Sequence, residues 1–184
     1  MDDPITLAHS LFNKESYSES LSVCKLILSK EPSHSEASYI ASRISFKMEN
    51  WKAAITFAEI CLSTDPNHIK CRAISANCKT MLGQTDEAIH DYILILKAVP
   101  NAPTMYGRLG DLLVKQIRLE EALSQFENAH SIWPLNTNWH LKLSNVYKLM
   151  GNYDLAFSWL NKALAINPDL PELLWHRSIL KLLT

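Results

Sequence analysis

The sequence predicts an all-α protein built from five similar helical hairpins, followed by one further helix. The first observation is a period: Pro32, Pro66, Pro100, Pro134 and Pro168 are each 34 residues apart, and a fixed spacing of this length is typical of repeat architectures. The second is that apolar residues between these prolines recur at the spacing of an amphipathic helix. Because one hairpin of this length cannot bury its own apolar stripe, neighbouring hairpins are expected to stack.

Each predicted hairpin carries its own helix signals at the same places. Twelve residues before each proline is a small residue that lets the two helices approach closely, and these are Ser20, Ala54, Ala88, Ala122 and Ala156. Gly83 and Gly151 suit a left-handed residue after the first helix, and Thr85 or Asn152 can begin the second. Each proline then ends the second helix, because it cannot donate a hydrogen bond into the preceding turn.

The fourth and fifth units carry the clearest pattern. The fourth has Tyr106, Leu109, Gly110, Ala122, Phe126 and Ala129, and the fifth has Leu143, Tyr147, Gly151, Ala156 and Ala163. This pattern resembles the tetratricopeptide repeat family, whose unit is a 34-residue helix–turn–helix. The resemblance implies a right-handed α-α superhelix (a solenoid) as a single domain over 1–184, with repeats at 1–34, 35–68, 69–102, 103–136 and 137–170 and a terminal helix at 171–184. Departures occur at Pro4, Ser38 and Arg72, where an aromatic residue is expected, and at Lys79, which stands where the fifth unit has Tyr147.

Composition limits the classes of function. Hydrophobic residues make up 47% of the chain and the formal net charge is −1, which is typical of a globular domain and not of a protein with a basic surface throughout. No apolar stretch approaches the roughly 20 residues of a membrane span, and the start Met1-Asp2-Asp3-Pro4 is acidic, unlike a signal peptide. We therefore expect a cytoplasmic protein with no nucleic-acid partner and no membrane partner.

The four cysteines show no Cys-x-x-Cys pair, and we see no histidine at zinc-finger spacing. We expect Cys24, Cys61, Cys71 and Cys78 to be reduced, half-buried thiols that act as small apolar residues.

Motifs of catalysis are missing from the sequence. There is no Walker loop, dinucleotide fingerprint or nucleophile elbow, and Gly107 and Gly110 fall inside a predicted helix. His130 and His140 flank an inter-repeat turn, but no carboxylate or thiol joins them at ligand spacing. We expect no enzyme activity, metal or cofactor.

The tryptophans are expected to pack in the core and between repeats rather than to stack on bases, and they are Trp133, Trp139, Trp159 and Trp175.

Charge at the groove positions is the main functional signal. The family commonly binds peptides along a concave surface made by the first helix of each repeat, and in repeats two to five its exposed positions carry seven basic and two acidic residues, the latter being Glu36 and Asp111. Asparagines there can bond to an extended peptide in both directions, and cations attract carboxylates. The candidate site is Tyr39, Arg43, Lys47, Lys70, Asn77, Arg108, Lys115, Asn138, Lys142, Asn145 and Lys148. The alternative is that these are solvated charges on an exposed helix face.

These observations favour a non-enzymatic scaffold or adaptor that binds an acidic or polar peptide segment of a protein partner. The chaperone-type carboxylate clamp of the family is incomplete in this sequence. Two alternatives stay open. The chain can be the N-terminal recruiting or oligomerisation domain of a longer protein, as in bacterial glycosyltransferases and sulfotransferases with such repeats. It can also form a homo-oligomer through the apolar C-terminal helix around Trp175 and Leu182.

Overall fold

A computed structural model describes residues 3–183, so Met1, Asp2 and Thr184 lie outside the described part of the chain. These residues form eleven α-helices, and there is no strand within 3–183. The helices are α1 (Pro4–Asn13), α2 (Tyr17–Lys30), α3 (Ser35–Lys47), α4 (Trp51–Thr64), α5 (Ile69–Met81), α6 (Thr85–Ala98), α7 (Pro103–Lys115), α8 (Leu119–Ile132), α9 (Thr137–Leu149), α10 (Tyr153–Ile166) and α11 (Pro171–Leu182). The predicted phase is confirmed, because all five second helices begin 34 residues apart and end two residues before a repeat proline.

The described chain forms two compact units. The first ends at Ala98 and contains the hairpins α1–α2, α3–α4 and α5–α6, and the second begins at Val99 and contains α7–α8, α9–α10 and the additional helix α11. Within each unit, the second helix of one hairpin packs on the first helix of the next. The core of the first unit includes Ile40, Ile44 and Tyr92, and that of the second includes Phe126 and Leu160. A single domain over 1–184 remains a prediction.

Small residues hold the two helices of each hairpin together, as expected. All five small residues of the second helices are fully buried. In the first hairpin, the Ser20 hydroxyl donates to the Ala8 carbonyl at 2.7 Å, and in the fifth the Ser144 hydroxyl donates to the Ala156 carbonyl at 2.8 Å. A backbone carbonyl is within reach of a side chain on the opposite helix only because both positions are small.

The turn inside each hairpin contains one left-handed residue at the same repeat position. Gly83 and Gly151 take it with φ of +75° and +76°, which confirms the sequence prediction. The same conformation occurs at Glu15, Glu49 and Ile117, where φ is 61°, 57° and 60°. Side-chain-bearing residues adopt it at a cost of about 1–2 kcal/mol, so three of the five turns are strained where two are not.

The second helices begin as the sequence indicated at two of these turns. Asn152 caps α10, because its side-chain oxygen accepts the Leu155 N–H at 3.2 Å. Thr85 is the first helical residue of α6, and its hydroxyl donates to the Gly83 carbonyl.

Two glycines inside α7 mark where neighbouring helices approach. A Cβ on Gly107 would lie 2.6 Å from the Trp139 ring of α9, and a Cβ on Gly110 would lie 2.6 Å from the Phe126 ring of α8. Trp139 is buried, as expected. The expectation is wrong for Trp133 and Trp175, which are both exposed.

The reason lies in the placement of these two tryptophans. Trp133 follows the last residue of α8, and Trp175 lies on the face of α11 opposite to its buried leucines. Neither position is covered by a further helix of the described chain.

The third repeat replaces the expected aromatic residues by a buried ion-pair cluster. Arg72 and Lys79 of α5 both reach Asp91 of α6, at 3.3 Å and 2.7 Å, and the Ser75 hydroxyl donates to the same carboxylate at 3.2 Å. Arg72 also donates to the carbonyl of Pro66. The side chain of Asp91 is only 7% exposed, so this carboxylate depends on these donors for its solvation.

Within residues 3–183, no helix has the length and apolar character that crossing a bilayer requires.

Candidate peptide-binding surfaces

In the first unit, the exposed sides of the first helices α1, α3 and α5 form one surface, which we call face 1. At its centre, the Arg43 guanidinium of α3 lies 4.1 Å from the centre of the Phe12 ring of α1 and 5.3 Å from that of Tyr39. The Lys70 ammonium of α5 lies 6.0 Å from the Tyr39 ring. Three of the predicted site residues therefore come together around the Tyr39 ring, and Arg43 also contacts Phe12, which was not among the predicted site residues.

The aromatic rings of face 1 orient these cations without neutralising them. A cation over an aromatic ring is attracted to the negative ring face by about 0.5–1 kcal/mol at an exposed site. Among residues 3–183, neither Arg43 nor Lys70 forms an ion pair with a carboxylate. Burial raises the pKa of Tyr39, although the nearby Arg43 charge opposes this shift. Tyr39 is therefore a neutral hydroxyl beside two cations.

The acidic residue of face 1 is already occupied. Glu36 accepts from His9 Nε2 at 3.0 Å, and both side chains are exposed. Lys47 is exposed at the end of α3. Asn77 is half-buried, and its side-chain oxygen accepts the hydroxyl of Tyr92 at 2.7 Å. This contact uses one of the two lone pairs of that oxygen.

In the second unit, the exposed sides of α7 and α9 form a separate surface, which we call face 2. Lys142 of α9 forms an ion pair with Asp111 of α7 at 2.6 Å, and its ammonium lies 5.5 Å from the Phe126 ring. This pair leaves the net positive surplus unchanged, because both charges were already counted, but it gives one of the counted cations a carboxylate partner.

The other predicted residues of the second unit stay accessible. Arg108, Lys115 and Asn138 are exposed, whereas Asn145 and Lys148 are half-buried. The Lys148 charge lowers the pKa of His176 on α11, in addition to the larger effect of burial. On face 1, Arg43 and Lys70 both lie near the Tyr39 ring. Among the described contacts, the cations of face 2 do not share an aromatic ring in this way.

The histidine pair of the second unit is a packing cluster. The rings of His130 and His140 are 4.7 Å apart, and each lies edge-on to Trp159, over which the Lys162 ammonium sits at 4.1 Å. Burial is the main cause that lowers the pKa of both histidines. The rings are therefore neutral near pH 7 and fill space beneath a lysine.

The expectation about the cysteines needs two corrections. All four are free and fully buried rather than half-buried. Cys61, His68 and Cys71 also form a cluster whose potential ligand atoms lie within 4.8 Å of one another, with the two sulfurs 2.6 Å apart. Zinc-finger spacings do not reveal this cluster in the sequence, because the contact arises where the end of α4 meets the start of α5.

Comparison with known proteins identifies the class of this fold. A family model described as tetratricopeptide repeat matches residues 101–169, and one described as anaphase-promoting complex, cyclosome, subunit 3 matches residues 13–92. Together these matches support a tetratricopeptide-repeat protein. A search of curated protein sequences gave no significant match.

Solved structures share the fold across nearly the whole chain. YrrB, described as a tetratricopeptide-repeat protein with an unusual peptide-binding site, has a TM-score of 0.86 at 22% identity and covers 95% of this chain and 90% of its own. MamA has a TM-score of 0.85 at 17% identity, covering 91% and 94%. MamA from Desulfovibrio magneticus RS-1 has a TM-score of 0.82 at 18% identity, covering 93% and 99%. At these identities, the similarity establishes the all-α tetratricopeptide fold.

Proposed function

We propose that this protein is a non-enzymatic interaction scaffold of the cytoplasm and that face 1 binds an extended peptide segment rich in acidic side chains. The observation that carries the proposal is the Arg43 guanidinium, which lies over two aromatic rings and has no carboxylate partner within residues 3–183. The peptide-binding site described for YrrB supports the use of this fold for such a ligand.

Both the charge and the shape of the cluster favour a carboxylate ligand. A guanidinium presents a rigid fork of donors that matches a carboxylate in two hydrogen bonds. Stacking between Phe12 and Tyr39 fixes the plane of Arg43 before binding, so less side-chain freedom is lost when the ligand arrives. Lys70 adds a second cation 6.0 Å from the Tyr39 ring. Two acidic residues of one peptide can therefore be held by the two cations beside this ring.

The test uses three synthetic peptides of equal length, with a repeated Asp/Glu, Asn/Gln or Lys pattern, and titration calorimetry against the full chain. The acidic peptide should bind most tightly, and raising the salt concentration should weaken its binding. Arg43→Glu and Lys70→Glu should each weaken binding by about tenfold, which corresponds to about 1.4 kcal/mol.

The matched controls are Lys25→Glu and Lys52→Glu, which reverse exposed cations on the second helices α2 and α4. They change net charge by the same amount but lie off face 1. If they weaken binding as much as Arg43→Glu does, the attraction is to overall charge and the proposed site is wrong. Arg108→Glu tests face 2 in the same way, and it is a cleaner probe than Lys142→Glu because Lys142 is paired with Asp111.

A second candidate is that the chain is a recruiting or oligomerisation arm that associates through α11. The observation in its favour is that Trp175 and Leu182 are 61% and 86% exposed on this helix. Light scattering over a hundredfold range of concentration should then show a mass that rises with concentration, and Trp175→Ser with Leu182→Ser should abolish the rise. A constant monomer mass would contradict this candidate.

A further inference from the structure

Cys61 and Cys71 place two buried sulfur atoms unusually close together. Cys61 belongs to the last turn of α4, and Cys71 is the third residue of α5. The Cys71 S–H donates to the sulfur of Cys61 at 2.6 Å, and both side chains are fully buried. The Ser35 hydroxyl of α3 lies 3.5 Å from the same Cys61 sulfur. The pair joins the second and third hairpins.

Two kinds of chemistry use such a pair, and the distances separate them. Two thiolates and an imidazole are a ligand set that suits Zn²⁺. However, a tetrahedral ion with metal–sulfur bonds of about 2.3 Å holds two sulfurs about 3.7 Å apart, so these sulfurs would have to separate by about 1 Å. A disulfide has a sulfur–sulfur distance of about 2.05 Å. The two sulfurs would therefore have to approach each other by only about half as much as a metal would require them to separate.

The third potential ligand is also already in use. His68 precedes the first residue of α5, and its Nδ1 accepts the backbone N–H of Cys71 at 3.1 Å. A metal bound at Nδ1 would take the lone pair that caps this helix. Disulfide formation leaves the capping hydrogen bond in place. The sulfur separation disfavours a metal site at either His68 nitrogen, and the capping hydrogen bond also disfavours one at Nδ1, so the geometry favours a covalent bond between the sulfurs.

We propose that Cys61 and Cys71 are a modification site at which a hydroperoxide oxidises two thiols to an intramolecular disulfide that ties α4 to α5. The Cys61 sulfur attacks one peroxide oxygen, the O–O bond breaks, and the proton of the Cys61 thiol passes to the departing oxygen, so the products are a Cys61 sulfenic acid and water (or an alcohol). The Cys71 sulfur then attacks the Cys61 sulfur, the S–O bond breaks, and the departing hydroxide takes up the Cys71 proton as a second water. The two thiols lose two electrons in total, and the peroxide gains them.

The order of attack follows from the hydrogen bond between the sulfurs. Burial, and then the S–H donated to Cys61, raise the pKa of Cys71 well above its usual range, so Cys71 keeps its proton while Cys61 reacts. Cys24 and Cys78 are the internal comparison, because burial raises the pKa of each to about 11 and neither is hydrogen-bonded to another sulfur among the described contacts. Proximity, and not general thiol reactivity, therefore selects the pair.

The test counts thiols in the folded full-length chain. Reduced protein is treated with a few equivalents of hydrogen peroxide, quenched, alkylated in denaturant and weighed by mass spectrometry. The wild type should fall from four alkylated thiols to two, and a tryptic digest should yield a linked pair of peptides containing Cys61 and Cys71. Cys24→Ala with Cys78→Ala should fall from two alkylated thiols to none at the same rate. Dithiothreitol should restore all thiols.

The variants Cys61→Ala and Cys71→Ala should lose no pair of thiols under the same treatment. Both should fold, because alanine stands at the equivalent position of Cys61 in Ala129 and Ala163, and of Cys71 in Ala37. The proposal is overturned if four thiols survive in the wild type, if the linked peptides contain Cys24 or Cys78, or if two chains become joined. It is equally overturned if the isolated protein carries one zinc ion that Cys61→Ala removes, since the thiols would then be metal ligands.

Discussion

The buried carboxylate of the third repeat leads to a stability prediction that can be worked out from two ion pairs of nearly equal length. Lys79–Asp91 and Lys142–Asp111 are 2.7 Å and 2.6 Å long, but the Asp91 side chain is 7% exposed and that of Asp111 is 48% exposed. If distance alone decided the energy, removing either carboxylate would have the same effect. If burial decides it, the two effects differ severalfold.

The magnitude follows from what each substitution leaves behind. Asp91→Asn leaves two largely buried cations without a counter-charge, and breaking a buried pair costs about 3–5 kcal/mol. Because the Arg72 and Lys79 side chains keep 16% and 17% exposure, water solvates them in part and we expect a loss near the lower bound, about 3 kcal/mol. Asp111→Asn breaks an exposed pair and should cost less than about 1 kcal/mol.

A third variant tests whether the ion-pair cluster makes the protein more stable than apolar residues of similar volume would. Replacing all four members by apolar residues of similar volume (Arg72→Met, Ser75→Ala, Lys79→Met and Asp91→Leu) leaves no buried charge unpaired. Such replacements are often neutral or stabilising, so this variant should stay within about 1 kcal/mol of the wild type. The cluster would then be a substitute for the aromatic packing of other repeats, and not an additional source of stability.

The assay is urea unfolding followed by far-ultraviolet circular dichroism at pH 7.5, with equal slopes required across the variants. The reasoning would be refuted if Asp91→Asn lost no more stability than Asp111→Asn. It would also be refuted if the four-residue variant lost as much as Asp91→Asn, because the ion pairs themselves would then be the stabilising term.

Two further predictions concern the hairpin turns and the histidine pair. Ile117 is 80% exposed and has φ of 60°, so Ile117→Gly should stabilise the protein by about 0.5–1 kcal/mol in urea unfolding, which is the relieved backbone strain less the entropy that glycine adds to the unfolded chain. The native pKa values of His130 and His140 lie below the ordinary 6.5; the unfolded state therefore binds more protons as the pH falls below about 6.5, and the unfolding midpoint should decrease from pH 7.5 to pH 5.

Each of these two predictions has a control variant. The control for the turn keeps the backbone conformation, and the control for the histidines uses residue types from equivalent positions of other repeats. Ile117→Ala removes the side chain but not the strain, so an equal gain from alanine and glycine would contradict the argument. His130→Leu with His140→Tyr introduces the residue types of Leu96 and Tyr106 at the equivalent positions. This variant should show a smaller decrease of the midpoint with pH, and an unchanged decrease would place the effect elsewhere in the chain.

Much of the fold and part of the site could be predicted from the sequence. The end of each second helix followed from the proline period, because a proline cannot continue a helix. The left-handed turns at Gly83 and Gly151 followed from the tolerance of glycine for positive φ. The same left-handed turn at Ile117 was not predicted, because isoleucine disfavours a positive φ. Only the position of Ile117 in the repeat indicates this turn. The assignment of Arg43, Lys70 and Asn77 to a peptide-binding groove stays a prediction, and the hydrogen bond from Tyr92 to Asn77 was not predicted.

What the sequence by itself determined is which residues share a helix face, because period and helix geometry fix the direction of each Cα–Cβ bond. Only the tertiary structure decided which neighbour each side chain reaches. Lys70 lies beside the Tyr39 ring, while Lys79 of the same helix turns to Asp91, and Lys142 turns to Asp111. Long side chains have many rotamers of similar energy, so contacts across helices, including the meeting of Cys61 with Cys71, depend on packing distances that no local pattern encodes.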